Sequence, residues 1–175
     1  LTMAAGYFGL NVNGRAVFEI SCHSMPEHRS YLVACGLEQI VDYILHLKFT
    51  DEQISFLKSL SAFQNVPPDF FDYLKNFRFS GDLWALPEGE IYFPHEPILQ
   101  IDAPILEAQI LETFLLSVTN IESLLATKAS RVVWAACHDG QTRGVIDFGS
   151  RRAHGPEAAI LASRASYIAG CQGTS

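Results

Sequence analysis

The chain has 175 residues, 49% of them hydrophobic and 18% charged, with a formal charge of −7. That length allows one ordinary domain with a real core, and the composition is globular rather than disordered. The acidic balance excludes a general attraction to nucleic acid or anionic lipid, so any phosphate the protein binds must meet a local cluster of positive charge.

The opening Leu1-Thr2-Met3-Ala4-Ala5-Gly6 lacks the basic start and long apolar run of a secretory signal. It begins with Leu rather than Met, so the start of the protein is expected to be missing. The longest apolar runs are short and broken by polar groups, which argues against a membrane span. Cys22, Cys35, Cys137 and Cys171 show neither a C-x-x-C pair nor a zinc spacing with histidine. Reduced thiols in a cytoplasmic protein are the expectation.

After the turn signal Asn13-Gly14, the β-branched and aromatic run Ala16-Val17-Phe18-Glu19-Ile20-Ser21-Cys22 reads as a strand. Beyond Pro26, Leu37, Ile40, Val41, Ile44 and Leu45 recur at helical spacing and predict a helix over about 31–47. Thr50-Asp51-Glu52-Gln53 is a capping-box pattern opening a helix to Leu60. Pro67-Pro68 opens another, with Phe70, Phe71 and Leu74 as its buried stripe. From Gly81 the pattern changes to short strand-like runs, at 82–86, 91–93 and 98–101, separated by proline-containing turns, which predicts a small antiparallel meander. After Pro104, Ile105, Ala108, Leu111, Leu115, Ile121, Leu124 and Leu125 predict a long helix to about Ala136, broken near Thr119-Asn120 and buried on more than one face. Val145-Ile146-Asp147-Phe148 follows as a continuously apolar strand of the kind found in doubly covered parallel sheets. Gly155-Pro156-Glu157 then opens a helix that stops at Gly170. One parallel βα unit would leave open edges and bare faces, so further chain is expected after Ser175.

The chemistry concentrates where that last strand ends. Ser150-Arg151-Arg152-Ala153-His154-Gly155 places two guanidinium groups and an imidazole at a strand's carboxyl end, just before a helix N-terminus. Strand ends are where α/β folds bind ligands, the arginine fork suits phosphate and carboxylate, and the helix offers free N–H groups. Phe148 adds a flat face for an aromatic ring. Adjacent arginines also occur as solvated surface, and a histidine before a helix as a capping neighbour. Lys128 and Arg131, at i and i+3, either reach this site or cover the helix surface. Cys22, His23 and His28 are close in sequence, but strand alternation separates the first two, and no metal site is expected.

The segment Val145 to Gly155 resembles the nicotinate phosphoribosyltransferase family. So do Arg164-Ala165-Ser166-Tyr167-Ile168, the terminal Gly170-Cys171-Gln172-Gly173-Thr174-Ser175, Leu1 to Phe8, Phe77-Arg78-Phe79-Ser80-Gly81-Asp82, Glu107 to Thr113 and Ala126-Thr127-Lys128-Ala129. The resemblance covers essentially the whole chain. It implies an α/β protein: an N-terminal α/β domain over 1–104, then a long helix and the first βα unit of an incomplete, here truncated, α/β barrel over 105–175. It implies that nicotinate and phosphoribosyl pyrophosphate give nicotinate mononucleotide and pyrophosphate, with coupled ATP hydrolysis, in NAD biosynthesis. Magnesium would accompany the pyrophosphate. On the matching motif, His154 is the phosphohistidine, Phe148 stacks on the pyridine ring, and Arg151, with Arg152 beside it, meets carboxylate and phosphate. Ser175 falls where related nicotinamide enzymes carry an aspartate. An aspartate would repel a carboxylate by about 4 kcal/mol at 4 Å and an effective dielectric of 20, so serine favours the acid. A homodimer is implied. The family's Asp-x-Tyr element before Leu1 and its later barrel strands lie outside these residues. Two rival readings are a nicotinamide-using relative and a non-catalytic piece that acts only in binding or assembly.

Overall fold

The computed structural model describes residues 1–25 and 27–174, so Pro26 and the specificity candidate Ser175 lie outside the described residues. The element order is α1 (Thr2–Gly9), β1 (Arg15–Ser21), β2 (Leu32–Val33), α2 (Leu37–His46), α3 (Asp51–Ser59), α4 (Pro68–Lys75), β3 (Asp82–Ala85), β4 (Ile91–Tyr92), β5 (Pro97–Pro104), α5 (Ile105–Cys137), β6 (Ile146–Asp147), α6 (Pro156–Ile168) and β7 (Gly173–Thr174). The mixture of helix and sheet agrees with the α/β expectation.

β5 is the centre of an antiparallel sheet, flanked by β1 (Phe18 opposite Ile101) and β3 (Leu83 opposite Ile101). Period-2 alternation sends Leu99, Ile101 and Ala103 to the inner face. There they pack with Ile40 and Ile44 of α2 and with Ala108, Leu111, Leu115 and Val118 of α5. A second core forms where α1, α3 and α4 bring Ala4, Ile54, Phe70 and Leu74 against Leu106 and Ile110 of α5. The first half of α5 therefore serves two cores at once, which is why its apolar residues cover more than one face. At 33 residues α5 has the length and hydropathy of a membrane span, but half of that stretch is buried in the protein's own interior.

Local signals hold where the physics is local. In the α3 capping box, Gln53 N–H donates to Thr50 Oγ1 at 3.3 Å and Thr50 N–H to Gln53 Oε1 at 2.9 Å. Pro68 opens α4, with Phe70, Phe71 and Leu74 buried as expected.

Several expectations change. α2 begins at Leu37 rather than near 31, because Leu32–Val33 is a strand and Gly36, at φ 106°, turns the chain into the helix. A Cβ on Gly36 would come within 2.9 Å of Val118 Cγ1. The meander is not formed: β3 pairs with β5, but β4 leaves to pair with β2. Two bonds at 2.8 Å, Gly89 N–H to Ala34 C=O and Ala34 N–H to Glu90 C=O, capture the intervening turn. α5 runs unbroken through Thr119, which is buried; tertiary packing outweighs the modest helix propensity of Thr and Asn. β6 is parallel, as expected, but pairs with β7, a stretch with no strand signal of its own. Ile146 of β6 and the following Phe148 are exposed, in line with the bare faces expected of a single βα unit.

Candidate functional site

The site grows from the end of β6. Asp147 Oδ1 accepts from Gly149 N–H at 2.9 Å and bends the chain out of the strand. A side chain at 149 would meet that oxygen, since a Cβ there would lie 2.8 Å from it. Ser150–Arg152 then form one 3-10 turn, with Arg152 N–H donating to Gly149 C=O at 2.8 Å and Ala153 N–H to Ser150 C=O at 3.2 Å. Gly155, at φ 106° and ψ 170°, swings the chain into α6, and among the described residues no side chain caps that helix. Its first N–H groups and the positive end of its dipole are thereby left for an anion.

Beside this loop is a cavity of about 550 Å³ between β6, α6 and the second half of α5. Its floor is apolar, with Leu125, Val145, Ala158 and Ala162. Its polar lining includes Lys128, Arg152, His154 and Asp147. The structure thus brings Arg152 and His154 together and adds Lys128 from α5, while Arg131 is exposed and does not line the cavity. Phe148 and Arg151 do not line it either. Phe148 is 65% exposed and Arg151 is also exposed, both presented to solvent from the loop. The loop therefore offers charge on the cavity side and an open aromatic face beyond it.

A second polar cluster drew no site assignment from the sequence, although Arg164 lies in one of the segments that resemble the family. Arg164 of α6 meets Glu38, Glu88 and Glu122, residues brought together from distant parts of the chain. Glu122 is fully buried and donates nothing when ionised; burial raises its pKa against the pull of Cys35 and Arg164. Burial would also raise Glu88, but the Arg164 guanidinium and the Gly36 and Leu37 N–H groups outweigh it and hold its pKa below normal. Burial, then Glu122, pushes the pKa of the Cys35 thiol far up, which favours the protonated form. Cys35, Glu88 and Glu122 place ligand atoms within 4.8 Å of one another, yet a guanidinium already provides the positive charge there. The four cysteines are free thiols.

Residues 1–120 match the family model described as the nicotinate phosphoribosyltransferase (NAPRTase) N-terminal domain. This chain belongs to that family. Among its relatives, nicotinate phosphoribosyltransferase pncB2 of Mycobacterium tuberculosis is 45% identical over 175 residues, covering all of this chain and 36% of the relative. Nicotinate phosphoribosyltransferase of Bacillus subtilis is 36% identical over 182 residues, covering all of this chain and 34% of that protein. The fold superposes on the crystal structure of human nicotinic acid phosphoribosyltransferase with a TM-score of 0.87 at 32% identity, covering 99% of this chain and 34% of that one. The chain thus spans about a third of the length of the relatives it matches. The loop at 148–155 lies beyond the part matched by the family model but within the part aligned to these relatives.

Proposed function

We propose that this chain supplies the N-terminal portion of an enzyme that joins nicotinate to phosphoribosyl pyrophosphate, giving nicotinate mononucleotide and pyrophosphate in NAD biosynthesis. The observation that carries the reading is the Arg151, Arg152 and His154 loop, set between an exposed Phe148 and an uncapped helix N-terminus in an acidic protein. Arg151 and Arg152 bind carboxylate and phosphate through paired N–H donors. Phe148 stacks on the pyridine ring and orients its nitrogen, already a nucleophile, toward the anomeric carbon. The helix end and the guanidinium groups stabilise charge developing on the departing pyrophosphate. In this reading His154, which lines the cavity, accepts phosphate from ATP and couples hydrolysis to transfer. On the resemblance, a neutral Ser175 in place of an aspartate favours nicotinate over nicotinamide.

Magnesium does not fit as a resident of this chain. Among the described residues the lining is cationic, with one side-chain carboxylate, Asp147, which is engaged by Gly149 N–H. The ion would travel with the substrate's phosphates. We place the division at 104–105, with β6–α6–β7 as the beginning of an incomplete α/β barrel. A homodimer in the cytoplasm, where free thiols persist, completes the reading.

The test is turnover by the intact protein with nicotinate or nicotinamide, each with and without ATP. Nicotinate mononucleotide formation stimulated by ATP, with a radiolabelled phosphate on His154 that is lost in His154→Ala, is the expected result. Preference for nicotinamide, or labelling unchanged in His154→Ala, overturns the corresponding part. Gel filtration of the same protein checks the dimer.

A further inference from the structure

Arg164 is two turns along α6 from Pro156, roughly 12 Å from the helix end that carries the loop. Its guanidinium is almost saturated. Nη1 donates to Glu88 Oε1 at 2.8 Å and Glu122 Oε2 at 3.2 Å, and Nη2 to Glu88 Oε2 at 2.5 Å and Glu38 Oε2 at 2.6 Å. Nε donates to Glu38 Oε2 at 3.1 Å. The Gln39 amide, oriented by its neighbours, accepts from the same Nε and donates to Glu122 Oε1, both at 3.1 Å. Glu88 Oε1 in turn accepts from Gly36 N–H at 2.6 Å and Leu37 N–H at 3.0 Å, the entry to α2. One side chain therefore ties α6 to the start of α2, to the turn between β3 and β4, and to the middle of α5.

A simple structural ion pair needs one carboxylate, and this site uses three, from three directions. Such a fan fixes an orientation, because guanidinium is planar and its donors are rigidly placed. Apolar packing also holds this end of α6: Ala165 is fully buried against Val33, Cys35 and Ala126, and Ile168 and Ala169 pack on the same cluster. Toward its N-terminus the helix instead borders the cavity, through Ala158 and Ala162. Apolar contact is non-directional, whereas the fan at Arg164 fixes an angle. A tilt of about 5° at Arg164 moves a helix end roughly 12 Å away by about 1 Å.

Resting on the transferase reading above, we propose that Arg164 is a positioning residue for the reaction: it sets the tilt of α6 and thereby the placement of Arg151, Arg152 and His154 against the phosphorylated substrate. Arg164 touches no substrate. It acts through the helix, and its loss is felt where reacting groups must meet within a fraction of an ångström.

The experiment uses the intact protein with Arg164→Lys, which keeps the charge and loses the fork, and Glu38→Gln, which removes only the exposed arm. Each is measured for melting temperature, for kcat and for KM toward each substrate, and for affinity toward inorganic pyrophosphate by calorimetry. Arg164→Lys is expected to stay folded while kcat/KM for phosphoribosyl pyrophosphate falls by up to about a hundredfold, the scale of a 1 Å misplacement. Pyrophosphate affinity falls with it, and KM for nicotinate changes little. Glu38→Gln shows the same pattern, weaker. A merely structural role lowers the melting temperature and leaves the kinetic constants and pyrophosphate affinity of the folded fraction unchanged, and that result overturns the proposal. If the unsubstituted protein binds pyrophosphate without turnover, the transferase reading falls and the affinities alone decide the role of Arg164. If it does neither, both fall.

Discussion

Gly155→Ala isolates backbone conformation from everything else at the site. Gly155 sits at φ 106° and ψ 170°, a region that side-chain-bearing residues hardly enter. A Cβ there would meet nothing within 4 Å, so the substitution brings no clash. The cost is conformational alone, of order 1–3 kcal/mol. The flanking loop is exposed and held largely by its own turn bonds, so it can shift to a cheaper backbone without unfolding the cores. The penalty then appears as a population of misplaced loops. At about 1.4 kcal/mol per tenfold, anion affinity falls roughly 5- to 150-fold while the melting temperature moves little. Gly6→Ala in α1 is the matched control: it also meets open space, but at an ordinary helical φ, and should stabilise by about 0.5–1 kcal/mol. Pyrophosphate titration and urea denaturation of both variants make the comparison. Unchanged affinity and unchanged stability in Gly155→Ala would refute the argument that this backbone is imposed by the site.

Thr127→Val keeps shape but removes the hydroxyl that accepts from Val33 N–H at 2.9 Å and donates to Ser123 C=O at 2.6 Å. An orphaned buried N–H should lower unfolding free energy by about 1–3 kcal/mol in urea melts. Phe148→Ala should leave stability within about 0.5 kcal/mol, because the ring is exposed, and weaken nicotinate binding in equilibrium titration. For Glu88, a folded pKa below the ordinary 4.5 means stability that is present above that value and lost as pH falls through the folded one. Glu88→Gln should therefore destabilise near neutral pH and flatten this acid limb in denaturation followed between pH 7 and pH 3. Glu122 has the opposite sign: its raised pKa costs stability as pH rises above 4.5, so Glu122→Gln should lessen that loss.

Much of the fold was legible because its causes lie within a few residues. Thr50 and Gln53 cap each other across one helical turn, Pro68 supplies a ready φ at the start of α4, and Gly170, at φ 102°, ends α6. The candidate loop was legible for the same reason: Phe148, Arg151, Arg152 and His154 fall within seven residues of one another. What failed was partner choice. The short runs at 82–86, 91–93 and 98–101 carry the same strand signal, and nothing local says that β4 will join β2 some sixty residues earlier.

The sequence by itself determined α3, α4 and α6 with their start and stop signals, the apolar stripes and the cationic loop, since periodicity, turn chemistry and charge act over one or two turns of chain; α1, the start of α2 and the continuity of α5 it did not. Tertiary structure decided which strands paired and how α5 could serve two cores without breaking. It also placed Lys128 with Arg152 and His154 in one cavity while leaving Phe148 and Arg151 outside. The Arg164 cluster shows the division most plainly. Glu38, Glu88 and Glu122 are far apart in the chain, and only folding brings them around one guanidinium, where burial and proximity turn separate charges into a single device.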